Sequence, residues 1–192
     1  MEWLLPAILL LIVGYTILAY NKMVRMRNTF QNAFRQIDVI LKQRHDMVPQ
    51  LVATVKGYAS HEQDTLTKVI DARNQAEQLR AGITTDDAKN MLALGQAEGL
   101  LGKAMGGIFA LSEAYPELKA DGAFRDLMEQ LTSIESRVAA SRRGYNNTVL
   151  EFNNVIETFP TNILANMFNF RRANELEFDD REAIQAAPKV EF

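Results

Sequence analysis

Residues 3–58 constrain this chain most, because an uncharged apolar run passes into a heptad-patterned helix with no linker between them. From Trp3 to Tyr20 the sequence WLLPAILLLIVGYTILAY carries no charge. As an α-helix it is about 27 Å long, close to the ~30 Å hydrocarbon core of a bilayer. Trp3, Tyr15 and Tyr20 lie toward its ends, where amphipathic rings favour the headgroup level. Pro6 falls in the first turn, where its missing N–H costs little. A cleaved secretory signal is the rival reading. The opening Met1-Glu2 is not a basic n-region and no small-x-small site follows the run, which favours a retained transmembrane anchor over residues 1–22.

Lys22, Arg25 and Arg27 follow the run directly, whereas only the terminal amine and Glu2 precede it. Basic residues are retained on the cytoplasmic side, so the N-terminus is expected outside and the body in the cytoplasm. With Trp3 and Tyr20, these cations form the expected interface with the lipid bilayer, each worth ~1 kcal/mol at most against anionic lipid.

The net charge of −3 provides no basic field for nucleic acid. The lack of cysteine removes disulfides, thiolate ligands and cysteine nucleophiles. His45 and His61 would fall about 160° apart on a continuous helix and so could share no metal. A break between them would leave His45-Asp46 and His61-Glu62 as an incomplete ligand shell. HExxH, GxSxG, P-loop and GxGxxG patterns do not occur. The expectation is a non-enzymatic chain with no catalytic residue, cofactor or metal.

Low proline and helical spacing of apolar residues predict an all-α fold: the transmembrane helix continues into an elongated antiparallel bundle of long, coiled-coil-like helices over residues 23–170. Positions 30, 34, 37, 41, 44, 48, 51, 55, 58, 62, 65, 69, 72, 76 and 79 follow one heptad phase, and all but Arg44, Glu62 and Thr65 are apolar. Unbroken, this would be one helix of ~75 Å kinked at Pro49. Asp46 with Pro49, or Ser60-x-x-Gln63 as a capping box, would instead start a new helix. The absence of Gly or a polar cluster near Pro49 favours a kink there over a hairpin.

Gly82 closes this pattern as a C-cap, and Thr84-x-x-Asp87 caps a helix running to Ala114. Its Leu94, Leu101, Met105, Ile108 and Leu111 are candidate core. Gly95, Gly99, Gly102 and Gly106 share another face and would open a groove for close backbone approach, filled either from the same chain or by a second subunit. After Tyr115-Pro116, Asp121 caps a helix expected to reach Pro160, with Phe124, Leu131, Val138, Tyr145, Phe152 and Phe159 in one row and Leu127, Ile134 and Val155 in the other. Tyr145, Asn146 and Asn153 belong to a repeated aromatic-Asn-Asn pattern and are expected as interhelical glue setting register. Residues 161–170 form a short amphipathic helix. Its Ile163, Leu164, Met167 and Phe168 would cap the bundle or meet a membrane or partner. Residues 171–192 are acidic and read as a flexible tail.

Several blocks now stand together: Arg27-Asn28, Gln36-Ile37-Asp38-Val39, Arg44-His45-Asp46-Met47-Val48-Pro49, Val55-Lys56-Gly57-Tyr58-Ala59, Ala72-Arg73-Asn74, Glu113-Ala114-Tyr115-Pro116-Glu117-Leu118, Arg142-Arg143-x-Tyr145-Asn146 and Phe159-Pro160-x-Asn162. In order, over residues 20–170, they resemble the LemA family. The resemblance implies a bacterial single-pass protein of the cell (inner) membrane with a helical cytoplasmic or envelope domain. It brings no catalytic residues; one relative takes part in magnetosome formation, and family genes often neighbour membrane-protease genes. Phe34 stands where relatives often have Trp. Asn169 replaces a common Gly, which argues against a tight turn between Phe168 and Phe170. Two functions follow as expectations. One is a scaffold that forms homo-oligomers through residues 95–106 or the stalk and organises or shapes membrane. The other is an adaptor for a membrane protein such as a protease, engaged through residues 162–170 or the tail.

Overall fold

The computed structural model describes residues 3–178, which form six helices and no strand. Helix α1, Leu4–Tyr58, is 55 residues long and carries the apolar run and the first half of the heptad row without interruption. Its N-terminal part is long and apolar enough to cross a membrane. Pro49 lies within it. A proline has no N–H for the carbonyl four residues earlier, here that of His45. Arg73 supplies the missing donor, its Nε standing 3.2 Å from the His45 carbonyl oxygen. The orphaned acceptor is satisfied from the neighbouring helix, and α1 runs on.

The chain breaks about three turns later. Ala59 leaves helical geometry with φ −124° and ψ 52°, and α2 begins at Gln63, running Gln63–Ala81. The single rod to residue 79 is therefore not formed. Nor is the capping box of Ser60 and Gln63, since Glu62 is the N-cap and no side chain bonds there. Helix α2 folds back along α1, where Arg80 Nη1 meets Asp38 Oδ1 at 2.7 Å. Gly82 does follow α2, at an ordinary negative φ of −111°.

Asp87 accepts from the N–H groups of Lys89 and Asn90 and starts α3, Ala88–Ala114. A short helix α4, Pro116–Ala120, not expected from the sequence, turns the chain. Asp121 then accepts from Phe124 N–H at 2.7 Å and starts α5, Gly122–Glu157. Helix α5 lies antiparallel to α1 in near-constant register. The pairing runs from Tyr58 on Asp121, the N-cap of α5, through Gln43 with Arg137 and Phe34 with Tyr145, to Phe30 with Phe152.

Phe30, Phe34, Ile37, Leu41, Val48, Leu51 and Val55 of α1 are buried, as are Phe124, Leu131, Val138, Tyr145 and Phe152 of α5. Phe159 leaves that row because α5 ends at Glu157, two residues earlier, and Phe159 is 75% exposed. The core divides in two. One cluster holds Met23, Phe30, Ile37, Tyr145 and Phe152 near the anchor, and the other holds Val55, Leu101, Ile108, Phe124 and Leu131 at the far end. Helix α6, Thr161–Met167, follows a cis Phe159-Pro160 peptide. Asn169 takes φ 57°, so the tight turn does form, closed by Phe170 N–H on the Ala165 carbonyl at 2.9 Å. Asparagine is among the few non-glycine residues that enter this left-handed region readily.

Candidate functional site

Between the two cores lies a layer of charge. Arg44 and His45 point into the bundle from α1, and both are buried. Arg44 Nη1 donates to Glu98 Oε2 at 2.8 Å, and its Nε pairs with Glu135 Oε1 at 2.7 Å. His45 Nε2 is 2.8 Å from Glu98 Oε1, and its Nδ1 is 2.7 Å from Glu77 Oε2. Glu77 in turn pairs with Arg80, which also reaches Asp38. Four long helices thus contribute to one network, in which fully buried Glu98 accepts from both Arg44 and His45.

The surroundings shift two carboxyls in opposite directions. Arg80 holds Glu77 down to about 2, with His45 adding to the effect and burial opposing it. Burial pushes Glu135 above the usual carboxylate range, and Arg44 offsets part of this. Both ring nitrogens of His45 are engaged, so the imidazole presents no free edge to a substrate or metal. His61 is exposed and stands apart from it. A layer of this kind fixes which helix faces which, because a shifted register would strand buried charge.

A second polar system sits nearer the anchor. Residues 171–178, expected as part of a flexible tail, run extended along α5, with Ala173 and Leu176 buried. Asn153 donates to the Ala173 carbonyl at 3.0 Å and accepts from Ala173 N–H at 2.9 Å. Asn146 repeats the pairing on Leu176 at 3.2 and 2.9 Å. Tyr145 donates to the Asn174 carbonyl at 2.6 Å. The spacing fits: seven helical residues rise about 10.5 Å, and three extended residues cover about 10 Å. Asn146 and Asn153 therefore clasp a strand-like segment and do not pair across a helix seam, whereas Tyr145 does both, its ring packing on Phe34 of α1 and its hydroxyl reaching the segment. The remainder of the expected tail, 179–192, lies outside the described residues.

The glycine face of α3 is divided among occupants. A Cβ at Gly95 would lie 1.9 Å from the Glu177 carbonyl oxygen, so the glycine makes room for the clasped segment. A Cβ at Gly102 would lie 3.3 Å from Arg44 Nη2. Gly99 is half-buried, and Gly106 opens onto free space, with exposed Phe109 three residues on. The four glycines do not form one continuous groove. Leu94, Leu101, Met105, Ile108 and Leu111 are buried in the core.

At the anchor end, α6 packs beside α1. Tyr15 Oη is 3.4 Å from Thr161 Oγ1, and the Tyr20 ring lies edge-on to Phe168 at 4.9 Å and Phe170 at 5.8 Å. Leu164 packs against the core, while Ile163, Met167 and Phe168 face outward, so the four do not act together as a bundle cap. Trp3, Lys22 and Arg25 are exposed. Arg27 is half-buried, with its guanidinium 4.9 Å from the Phe170 ring centroid.

The charge layer is what reading the sequence missed. Its one visible signal was Arg44, the single charge on the α1 part of the heptad row between residues 30 and 58, a charge that requires a partner. Glu98 is fifty-four positions away, and no local pattern joins them.

A LemA family model matches residues 33–192. Magnetosome protein MamQ 2 of Paramagnetospirillum magneticum is 25% identical over 178 residues, covering 84% of this chain and 65% of the relative. Magnetosome protein MamQ of Magnetospirillum gryphiswaldense is 24% identical over 173 residues, covering 81% and 64%. Protein LemA of Metamycoplasma hominis is 28% identical over 145 residues, covering 76% and 63%. The chain thus spans just under two thirds of the length of each of these curated relatives.

Proposed function

Since the chain belongs to the LemA family, we propose that it is a non-enzymatic, single-pass membrane-anchored scaffold that self-associates to organise or shape membrane. The observation that carries this reading is the continuity of α1, which joins the apolar run to the bundle with no linker. A helix that leaves the bilayer unbroken transmits the orientation of its body to the membrane, as a tethered globule would not. Relatives bearing the name magnetosome protein are consistent with a membrane-associated role.

Self-association is assigned to the outer face of α3, where exposed Leu92 lies in line with Gly99 and Gly106 at seven-residue spacing, and the occupant is a second copy of this chain. Lys22, Arg25 and Arg27 at the end of the apolar run support a body on the cytoplasmic side of a bacterial inner membrane.

Mass measurement of the full chain in mild detergent tests the scaffold. A homo-oligomer is expected, dissociating in Gly106→Leu. A Cβ at Gly106 meets nothing within 4 Å in its own chain, and an unchanged helical circular dichroism spectrum of the variant checks that the protomer is still folded. A wild-type monomer, or an oligomer indifferent to the substitution, would overturn the assignment.

A further inference from the structure

The anchor alone is too short once the body is in place. Residues 3–20 need their whole ~27 Å to approach the ~30 Å hydrocarbon core. Yet α6 lies against the last part of that run, through Tyr15 with Thr161 and Tyr20 with Phe168, and Ala19 is buried in the same packing. Only residues 3–14 stand clear, about 18 Å of helix. If residues 15–20 lie within the bilayer, whatever flanks them lies at that depth too.

The outward surface of this end matches such a position. Phe159, Ile163, Met167 and Phe168 are exposed, with Ile163 at 58% and Met167 at 65%. Exposed Asn166 and Asn169 accompany them, a mixture that suits the headgroup boundary and not the hydrocarbon interior. Cations ring the same end. Lys22 and Arg25 follow Tyr20 on α1, and exposed Arg171 follows Phe170, whose ring contacts Tyr20.

We propose that α6 with Phe159 is a second membrane contact. It lies in the headgroup and acyl boundary of the bilayer beside α1, with Lys22, Arg25 and Arg171 facing anionic lipid. The inference rests on the proposal that α1 spans the membrane. Two points of contact fix the tilt and rotation of the body, where a lone helix would fix neither.

Absence of native cysteine allows single environment-sensitive labels in the full chain. Leu9→Cys, Ile163→Cys and Glu117→Cys, all at exposed positions, would be labelled and reconstituted in phosphatidylcholine vesicles containing one-third phosphatidylglycerol. The expected result is blue-shifted emission at positions 9 and 163. Lipid brominated near the headgroup should quench position 163 more than lipid brominated at the chain end, and position 117 should respond to neither. Quenching at 9 with none at 163 would overturn the second contact while leaving the anchor standing. Shielding of 163 from aqueous iodide without lipid quenching would assign the face to a second protein copy and overturn it equally. No quenching at 9 would remove the anchor itself, and the inference with it.

Discussion

The carbonyl oxygen of Glu177 occupies the space that a side chain at Gly95 would fill, at 1.9 Å from the ideal Cβ position. The closing contact is with backbone, which cannot swing aside as a long side chain can. Gly95→Ala should therefore displace residues 171–178 and cost about 1–3 kcal/mol, the usual range for overpacking. Gly144→Ala, exposed within α5 with nothing near its Cβ, should stabilise the helix by up to about 1 kcal/mol. Urea denaturation of the two variants side by side checks both signs.

The clasp on the same segment depends on an amide offering donor and acceptor together. Asn153→Ala leaves the N–H and carbonyl of buried Ala173 unpaired. Two lost hydrogen bonds of about 1 kcal/mol each, with a desolvation cost for the orphaned groups, predict destabilisation of about 2–4 kcal/mol. Hydrogen exchange should rise first in residues 171–178, while α1 and α5 near Tyr58 and Asp121 remain protected.

In the charge layer, removing one partner is worse than removing two. Glu98→Leu takes the fully buried carboxylate from both Arg44 and His45, leaving each with a single, more exposed partner, Glu135 and Glu77 respectively, and should destabilise by about 3–5 kcal/mol. Adding Arg44→Met should recover part of that loss, since one buried charge then disappears. The recovery is read as a coupling energy in a double-mutant cycle of unfolding free energies.

Glu77 gives the layer an acid dependence. Its pKa is lowered in the fold from about 4.5 to about 2, so its contribution is present above 4.5 and is lost as pH falls toward 2. Glu135 acts in the opposite sense. Its raised pKa makes its contribution complete below the ordinary carboxylate value and lost as pH rises through the folded value. Urea midpoints between pH 5 and pH 2 should fall for the wild type and fall less for Glu77→Gln.

Local chemistry made much of the fold legible. Asp121 was readable as a cap because capping needs only a side-chain oxygen and an N–H two or three residues on, whereas the Thr84-x-x-Asp87 box does not form and Asp87 is itself the N-cap. The heptad rows of α1 and α5 were readable because each burial repeats every two turns. What stayed hidden depended on distant partners. Pro49 is passed because Arg73 comes from another helix, and the row past Tyr58 kept its phase although the chain turns at Ala59. Acidic composition masked residues 171–178, where Ala173, Leu176 and half-buried Phe178 pack on the core. Asn146 and Asn153 were noticed as a pair, but the sequence could not say that their partner is an extended backbone.

Spin labels at Ile12→Cys and Val39→Cys, both exposed on α1, test most directly whether anchor and body are one rigid helix. The labelled protein is to be diluted with unlabelled chain in vesicles. Twenty-seven helical residues separate the labels by about 40 Å, so a single narrow distance near that value is expected. A broad distribution, or one centred well below it, would place a hinge at the membrane exit and contradict the continuous helix.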